Sequence, residues 1–83
     1  MATDDITEAV RDLVARRVER PVEEVAADAP LTDLGLDSLG LVGLIVDVES
    51  HFAVRLPAAA ISRETFHSAR TVAAVLDGLV EAR

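Results

Sequence analysis

One hydroxyl in this chain stands where chemistry can be done on it. Residues Leu34, Gly35, Leu36, Asp37, Ser38, Leu39 and Gly40 run consecutively, setting a serine directly after an aspartate and between leucines. Asp37 is suited to cap a helix, its carboxylate accepting from backbone N–H groups of the first turn. Ser38 is then the first helical residue, and Gly35 permits a backbone turn that a side chain would resist. With Leu34 and Leu36 anchoring the loop, the serine is held firmly and points outward. A serine that acts for itself needs a base in reach and an oxyanion hole. The histidines are His51 and His67. His51 follows on the same helix, about 20 Å away at 1.5 Å per residue. No Gly-x-Ser-x-Gly elbow is present, and both imidazoles read as surface residues. The hydroxyl is therefore unactivated, any reaction on it is supplied by a visiting enzyme, and the chain is not read as an enzyme.

The elements that hold this serine follow from the apolar spacing. Ile6, Val10, Leu13, Val14 and Val18 draw one stripe on a 3.6-residue repeat, giving a first helix. Asp5 with Glu8 resembles a capping box, and Arg16, Arg17 and Arg20 suit the negative C-terminal end. Pro21 stops that helix at Arg20 or just before it. Residues 21–37 form a long connection in which Val22 and Val25 make a short turn and Leu31, Leu34 and Leu36 pack onto the core. A second helix runs from about Asp37 to His51. Leu39, Val42, Ile45, Val46, Glu49 and Phe52 approximate one stripe, while Leu41, Leu44 and Val48 widen the apolar arc, so either this is the central helix or part of its face meets something other than the core. A short helix follows, capped by Ser62 with Ile61 and Phe66 inward. The last helix starts at 68–71 and ends at Leu79 or Val80. No window alternates with period two. The expected fold is all-α: a small four-helix bundle of three longer helices, one short helix and a long first loop, forming a single domain over 1–83.

Composition bounds the function. Eighty-three residues make one core, burying roughly two-thirds of the unfolded chain's surface, and no cysteine is available to staple it. Net charge is −7, and every basic residue is arginine. Residues 1–50 hold 12 acidic residues and 4 arginines, so the excess negative charge lies there. Such a surface repels phosphate backbones, and Phe52 and Phe66 alone give no stacking platform, which excludes nucleic-acid binding. No apolar run approaches a membrane span, and the acidic N-terminus has no signal core. The chain is read as cytoplasmic and monomeric.

Residues 31–57 resemble the core of the acyl carrier protein family. The match rests on Asp37-Ser38-Leu39 after Leu34-Gly35-Leu36, on Glu49 and Phe52 downstream, and on the closing Leu56-Pro57. The first and last helices fit the family plan, so the resemblance covers nearly the whole chain. It implies that Ser38 receives 4′-phosphopantetheine from coenzyme A through a phosphopantetheinyl transferase, with Asp37 helping to recruit that enzyme. The distal thiol would carry acyl groups as thioesters between a loading acyltransferase or ligase and ketosynthase or tailoring enzymes. The resemblance further implies an acyl-chain region between the second and third helices, here Leu41, Ile45, Val48, Leu56 and Ile61. For Ile45, Val48 and Leu56, ordinary core is the favoured reading.

Departures from the family pattern sharpen the expectation. Gly40 and Gly43 occupy exposed positions of the second helix that are acidic in fatty acid carriers, and each costs roughly 1 kcal/mol of helix propensity. With Leu39, Leu41 and Asp47 they form the expected partner interface, more apolar and less salt-sensitive than in fatty acid synthesis. Residues 61–75 resemble discrete carriers of polyketide or mixed polyketide–peptide pathways. The nearest rival is a peptidyl or aminoacyl carrier of a nonribosomal pathway; Leu36-Asp37 before the serine favours the acyl type. A rival of another class is an unmodified helical interaction module.

Overall fold

The computed structural model describes residues 3–81; the ends of the expected 1–83 domain lie outside the described residues. Three α-helices carry the fold: α1 (Thr3–Val18), α2 (Ser38–Phe52) and α3 (Ala69–Glu81). Single 3₁₀ turns stand at Val22–Glu24 and Ala58–Ala60. Helix α1 packs against both α2 and α3, more extensively against α3. Ile6, Val10 and Val14 of α1 meet Leu44 and Val48 of α2 and Val72 and Leu76 of α3 in one core, all fully buried. The expected inward stripe of α1 is thus present.

The helix ends differ in detail from expectation. Helix α1 begins at Thr3, two residues before Asp5, so Asp4 and Asp5 lie inside the first turn instead of forming a capping box. Acidic side chains there favour the positive end of the helix whether or not they cap it. The helix stops at Val18, where Glu19 turns left-handed (φ 56°) and the Arg20 N–H donates to the Ala15 carbonyl at 3.1 Å. That bond closes the last turn as a Schellman-type cap, and Pro21 follows. Helix α3 opens on a reciprocal pair: the Ser68 N–H donates to Thr71 Oγ1 (2.9 Å) and the Thr71 N–H to Ser68 Oγ (3.3 Å). This is the capping-box arrangement with threonine in place of glutamate.

The long first connection is tied down along its length. Arg11 donates to the Val25 carbonyl (2.6 Å) and the Val22 carbonyl (2.9 Å), fastening the expected Val22–Val25 turn to α1. Leu31, Leu34 and Leu36 are buried in the core as expected. The Leu31 N–H donates to the His67 carbonyl at 2.8 Å, joining this loop to the last connection. Gly35 sits at φ 95°, with open space where a Cβ would stand. Its backbone angle, not crowding, is therefore what requires glycine.

The short helix expected after Pro57 takes a different form. The 3₁₀ turn Ala58–Ala60 comes first, then an isolated α-turn in which the Phe66 N–H donates to the Ser62 carbonyl at 3.1 Å. Ser62 Oγ accepts from the Thr65 N–H (3.2 Å), so the serine caps as expected but caps one turn only. Phe66 is buried as expected, whereas Ile61 is exposed.

Candidate functional site

Asp37 and Ser38 stand where the sequence places them. Asp37 is extended (φ −93°, ψ −176°) and its Oδ1 accepts from the Gly40 N–H at 2.7 Å. The Leu41 N–H reaches the Asp37 carbonyl at 2.8 Å. Aspartate here satisfies a first-turn donor and places a negative charge at the positive helix end. Ser38 is the first residue of α2 and is exposed, and its hydroxyl makes no hydrogen bond. The Ser38 and Leu39 N–H groups also have no acceptor, leaving two donors open at the tip of α2. Neither histidine bonds to the serine: His51 lies in the last turn of α2, edge-on to the Phe52 ring, and His67 lies on the far connection.

The faces of α2 correct the expected stripe. Leu44, Val48 and Phe52 point into the core, with Leu41 and Ile45 half-buried beside them. Leu39, expected at a partner interface, is 81% exposed, and Val42 and Val46, which share its stripe, are 58 and 54% exposed. Their i, i+3, i+7 spacing makes one apolar row that begins directly after Ser38. Sequence reasoning missed Val42 and Val46 as surface residues because both arcs of this helix are apolar.

Three residues expected at a partner interface are engaged within the chain. Asp47 takes a two-pronged ion pair from Arg17 of α1, Nε to Oδ2 at 2.6 Å and Nη2 to Oδ1 at 3.0 Å. Hydrogen bonding from Arg17 holds the Asp47 carboxyl below its ordinary range, against the opposing pull of desolvation. The same guanidinium lies over Gly43, where a Cβ would collide with it. At Gly40 a Cβ would press on Leu36 Cδ1 at 3.0 Å and Asp37 Oδ1 at 3.2 Å. Both glycines therefore admit close approach from the chain itself, which offsets their propensity cost. Glu49 is also structural, its Oε2 accepting from the Leu56 N–H at 2.8 Å.

A groove of about 570 Å³ opens beside α2, lined by Thr32, Leu41, Ile61, Ser62, Arg63, Phe66 and His67. Of the expected acyl-chain residues, Leu41 and Ile61 line it. Val48 and Leu56 belong to the core, and Ile45 packs against it. Arg63 and His67 are lining residues that sequence reasoning did not assign.

These features define a carrier domain with an accessible helix-start serine. Residues 8–78 match the family described as the phosphopantetheine attachment site, and the chain belongs to that family. Its members carry covalently attached 4′-phosphopantetheine and serve as non-catalytic carriers. The D-alanyl carrier protein of Streptococcus suis (strain 05ZYH33) is 33% identical over 78 residues, covering 93% of this chain and 94% of its own. The non-reducing polyketide synthase Preu6 of Preussia isomera is 35% identical over 68 residues, 82% of this chain but only 3% of that much longer protein. Among solved structures, the fold is shared with a chain of the Bradyrhizobium japonicum glycine:[carrier protein] ligase complexed with glycylated carrier protein. There the TM-score is 0.70 at 27% identity, covering 88% of this chain and 96% of that one. No helix among the described residues is long and apolar enough to cross a membrane.

Proposed function

We propose that Ser38 is the residue that takes the 4′-phosphopantetheine arm and that the chain presents a small acyl group to successive partner enzymes in polyketide-type biosynthesis. The observation that carries the tether is the exposed, unbonded Ser38 hydroxyl at the start of α2, inside the family-matched segment, while the polyketide-type setting is supported by the likeness to a polyketide synthase segment. The residues fit the group. The open N–H donors of Ser38 and Leu39 and the positive helix end suit a phosphodiester anion, while Asp37 partly offsets that benefit and offers the transferase a contact. The arm supplies a mobile terminal thiol, absent from this cysteine-free chain, on which cargo is held as a thioester. The chain's own contribution is positional: the Asp37 cap and the buried Leu34 and Leu36 fix where the arm begins.

The row Leu39, Val42 and Val46 is the surface on which the loading and consuming enzymes dock. It adjoins Ser38, and the nearby Asp47 is already neutralised by Arg17. Apolar burial at such a face gives binding that depends weakly on salt. A second reading, an aminoacyl carrier loaded by an adenylating ligase, is favoured by the near full-length likeness to D-alanyl carriers and to the glycylated carrier complex. It shares Ser38, the arm and the docking row and differs in cargo.

Intact mass before and after incubation with coenzyme A and a promiscuous phosphopantetheinyl transferase tests the tether. The wild type should gain one phosphopantetheine and Ser38→Ala none, with unchanged far-ultraviolet dichroism. An arm acquired by the alanine variant, or never by the wild type, overturns the assignment.

A further inference from the structure

The Asp37 carboxylate has one oxygen in use and one free. Oδ1 accepts from the Gly40 N–H at 2.7 Å, whereas Oδ2 takes no hydrogen bond or ion pair among the described residues. Gly40 thus supplies the donor that holds Oδ1, and it borders the same oxygen with no side chain. A Cβ there would stand 3.2 Å from Asp37 Oδ1 and 3.0 Å from Leu36 Cδ1, closer than ordinary van der Waals contact. Leu36 is packed in the core, so the exposed carboxylate is the group that would yield. The backbone does not demand glycine at this position, since Gly35 alone among the glycines has a positive φ. Alanine would be the better helix former in the first turn of α2. The reason for glycine therefore lies in the contact with Asp37 and Leu36.

We propose that Gly40 is a positioning residue for the modification of Ser38: having no side chain, it lets the Asp37 carboxylate lie on the first turn of α2 with Oδ2 free beside the reacting serine. The inference rests on Ser38 as the tether and on Asp37 as a contact for the transferase. In the transfer, Ser38 Oγ bonds to the phosphorus that bears pantetheine. The P–O bond to the rest of the pyrophosphate breaks, and adenosine 3′,5′-bisphosphate leaves. The serine proton passes to a base on the transferase, since neither histidine of this chain bonds to the hydroxyl. The pyrophosphate is anionic, so the visiting enzyme brings cationic groups or a metal ion to it. Oδ2 of residue 37 gives those cations a second anion to hold. The place of that oxygen relative to Ser38 then bears on the rate, and a methyl group at position 40 displaces it.

The test is a double-mutant cycle on the rate of arm transfer from coenzyme A by a promiscuous phosphopantetheinyl transferase, read by intact mass. Gly40→Ala should lower kcat/KM for this chain by roughly five- to tenfold, with KM for coenzyme A unchanged. Its urea midpoint should stay at or above that of wild type, because alanine is the better helix former. Asp37→Asn keeps the cap but removes the charge, and should lower kcat/KM by roughly tenfold. In that background Gly40→Ala should cost less than about twofold, since the group it displaces is no longer charged. Gly78→Ala, where a Cβ meets open space, should be modified at the wild-type rate. Losses that add in the double variant, or a wild-type rate for Gly40→Ala or for Asp37→Asn, would overturn the proposal with the tether intact. So would a slower Gly40→Ala whose urea midpoint has fallen, which would make the glycine structural only. A wild type that gains no mass would instead remove the Ser38 assignment and this inference with it.

Discussion

Helix α2 has two apolar arcs of the same residue types and opposite fates. Leu44, Val48 and Phe52 are buried in the common core, whereas Leu39, Val42 and Val46 face solvent on the same fifteen residues. Hydrophobic content alone does not distinguish them. What separates the arcs is tertiary: the shared core takes Leu44 and Val48, and Arg17 of α1 crosses Gly43 to reach Asp47, an ion pair that favours the same rotation. An apolar residue left outside by that rotation is available to a partner, and a row of three beside Ser38 is a surface with a use.

The comparison breaks most visibly through stability. Leu44→Ala removes a fully buried side chain and should cost about 2–5 kcal/mol in urea unfolding. Leu39→Ala should stay within about 0.5 kcal/mol of wild type. Equal costs would mean that α2 is rotated differently, with Leu39 buried as deeply as Leu44.

The order reverses for partner binding. Val42→Ala and Leu39→Ala should each weaken association with the loading enzyme by about five- to thirtyfold, typical of truncating a central apolar anchor. That loss should change little between low and high salt, because the row carries no charge. Steep weakening of wild-type binding with added salt would show that charged groups, not this row, dominate docking.

The same pair of arcs marks how far the sequence is legible. The Asp37 cap, the Ser38 position and the inward set of α1 follow from local spacing, because each depends on residues within one or two turns. The burial of Leu31, Leu34 and Leu36 is likewise readable, since three leucines in a polar loop need cover. The rotation of α2 is not, because with apolar residues on nearly every side its periodicity has no unique phase. The contacts that go with that phase are distant in sequence, as in the pairing of Arg17 with Asp47, thirty residues apart. The turn at Ser62 fails differently. Its cap is visible, but no apolar repeat continues beyond Phe66 to extend one turn into a helix. Arg63 and the surface residue His67 could not be placed at a groove because a solvated polar side chain in sequence looks the same whether it borders a groove or open water.

A smaller effect sharpens the role of the Arg17 clamp. Gly43→Ala places a Cβ where the guanidinium lies, so Arg17 must move off α2 and its two bonds to Asp47 lengthen or break. The alanine gains helix propensity, roughly 1 kcal/mol, which opposes the lost contact and keeps the net stability change small. The clearer readout is therefore the rotation of α2 itself, through amide shifts at Leu39, Val42 and Val46. These should move in Gly43→Ala and stay fixed in Gly78→Ala, where a Cβ meets open space.

The smallest effect concerns acid. Arg17 holds the Asp47 carboxyl below its ordinary value of about 3.9, so the native state binds that proton less readily than the unfolded chain. The stabilisation is then fully present above the unfolded value and is lost as pH falls through the lower native one. Both side chains are partly solvated, which limits the loss to a shallow acid-side slope. Asp47→Asn should flatten the stability curve below about pH 4 relative to wild type. At neutral pH it should also shift the Leu39, Val42 and Val46 amides in the direction seen for Gly43→Ala, since both changes release the same guanidinium. A flattened acid limb with those three signals unmoved would mean that the ion pair stabilises the fold without setting the docking face, and the cause of the rotation would then lie in the packing of Leu44 and Val48 alone.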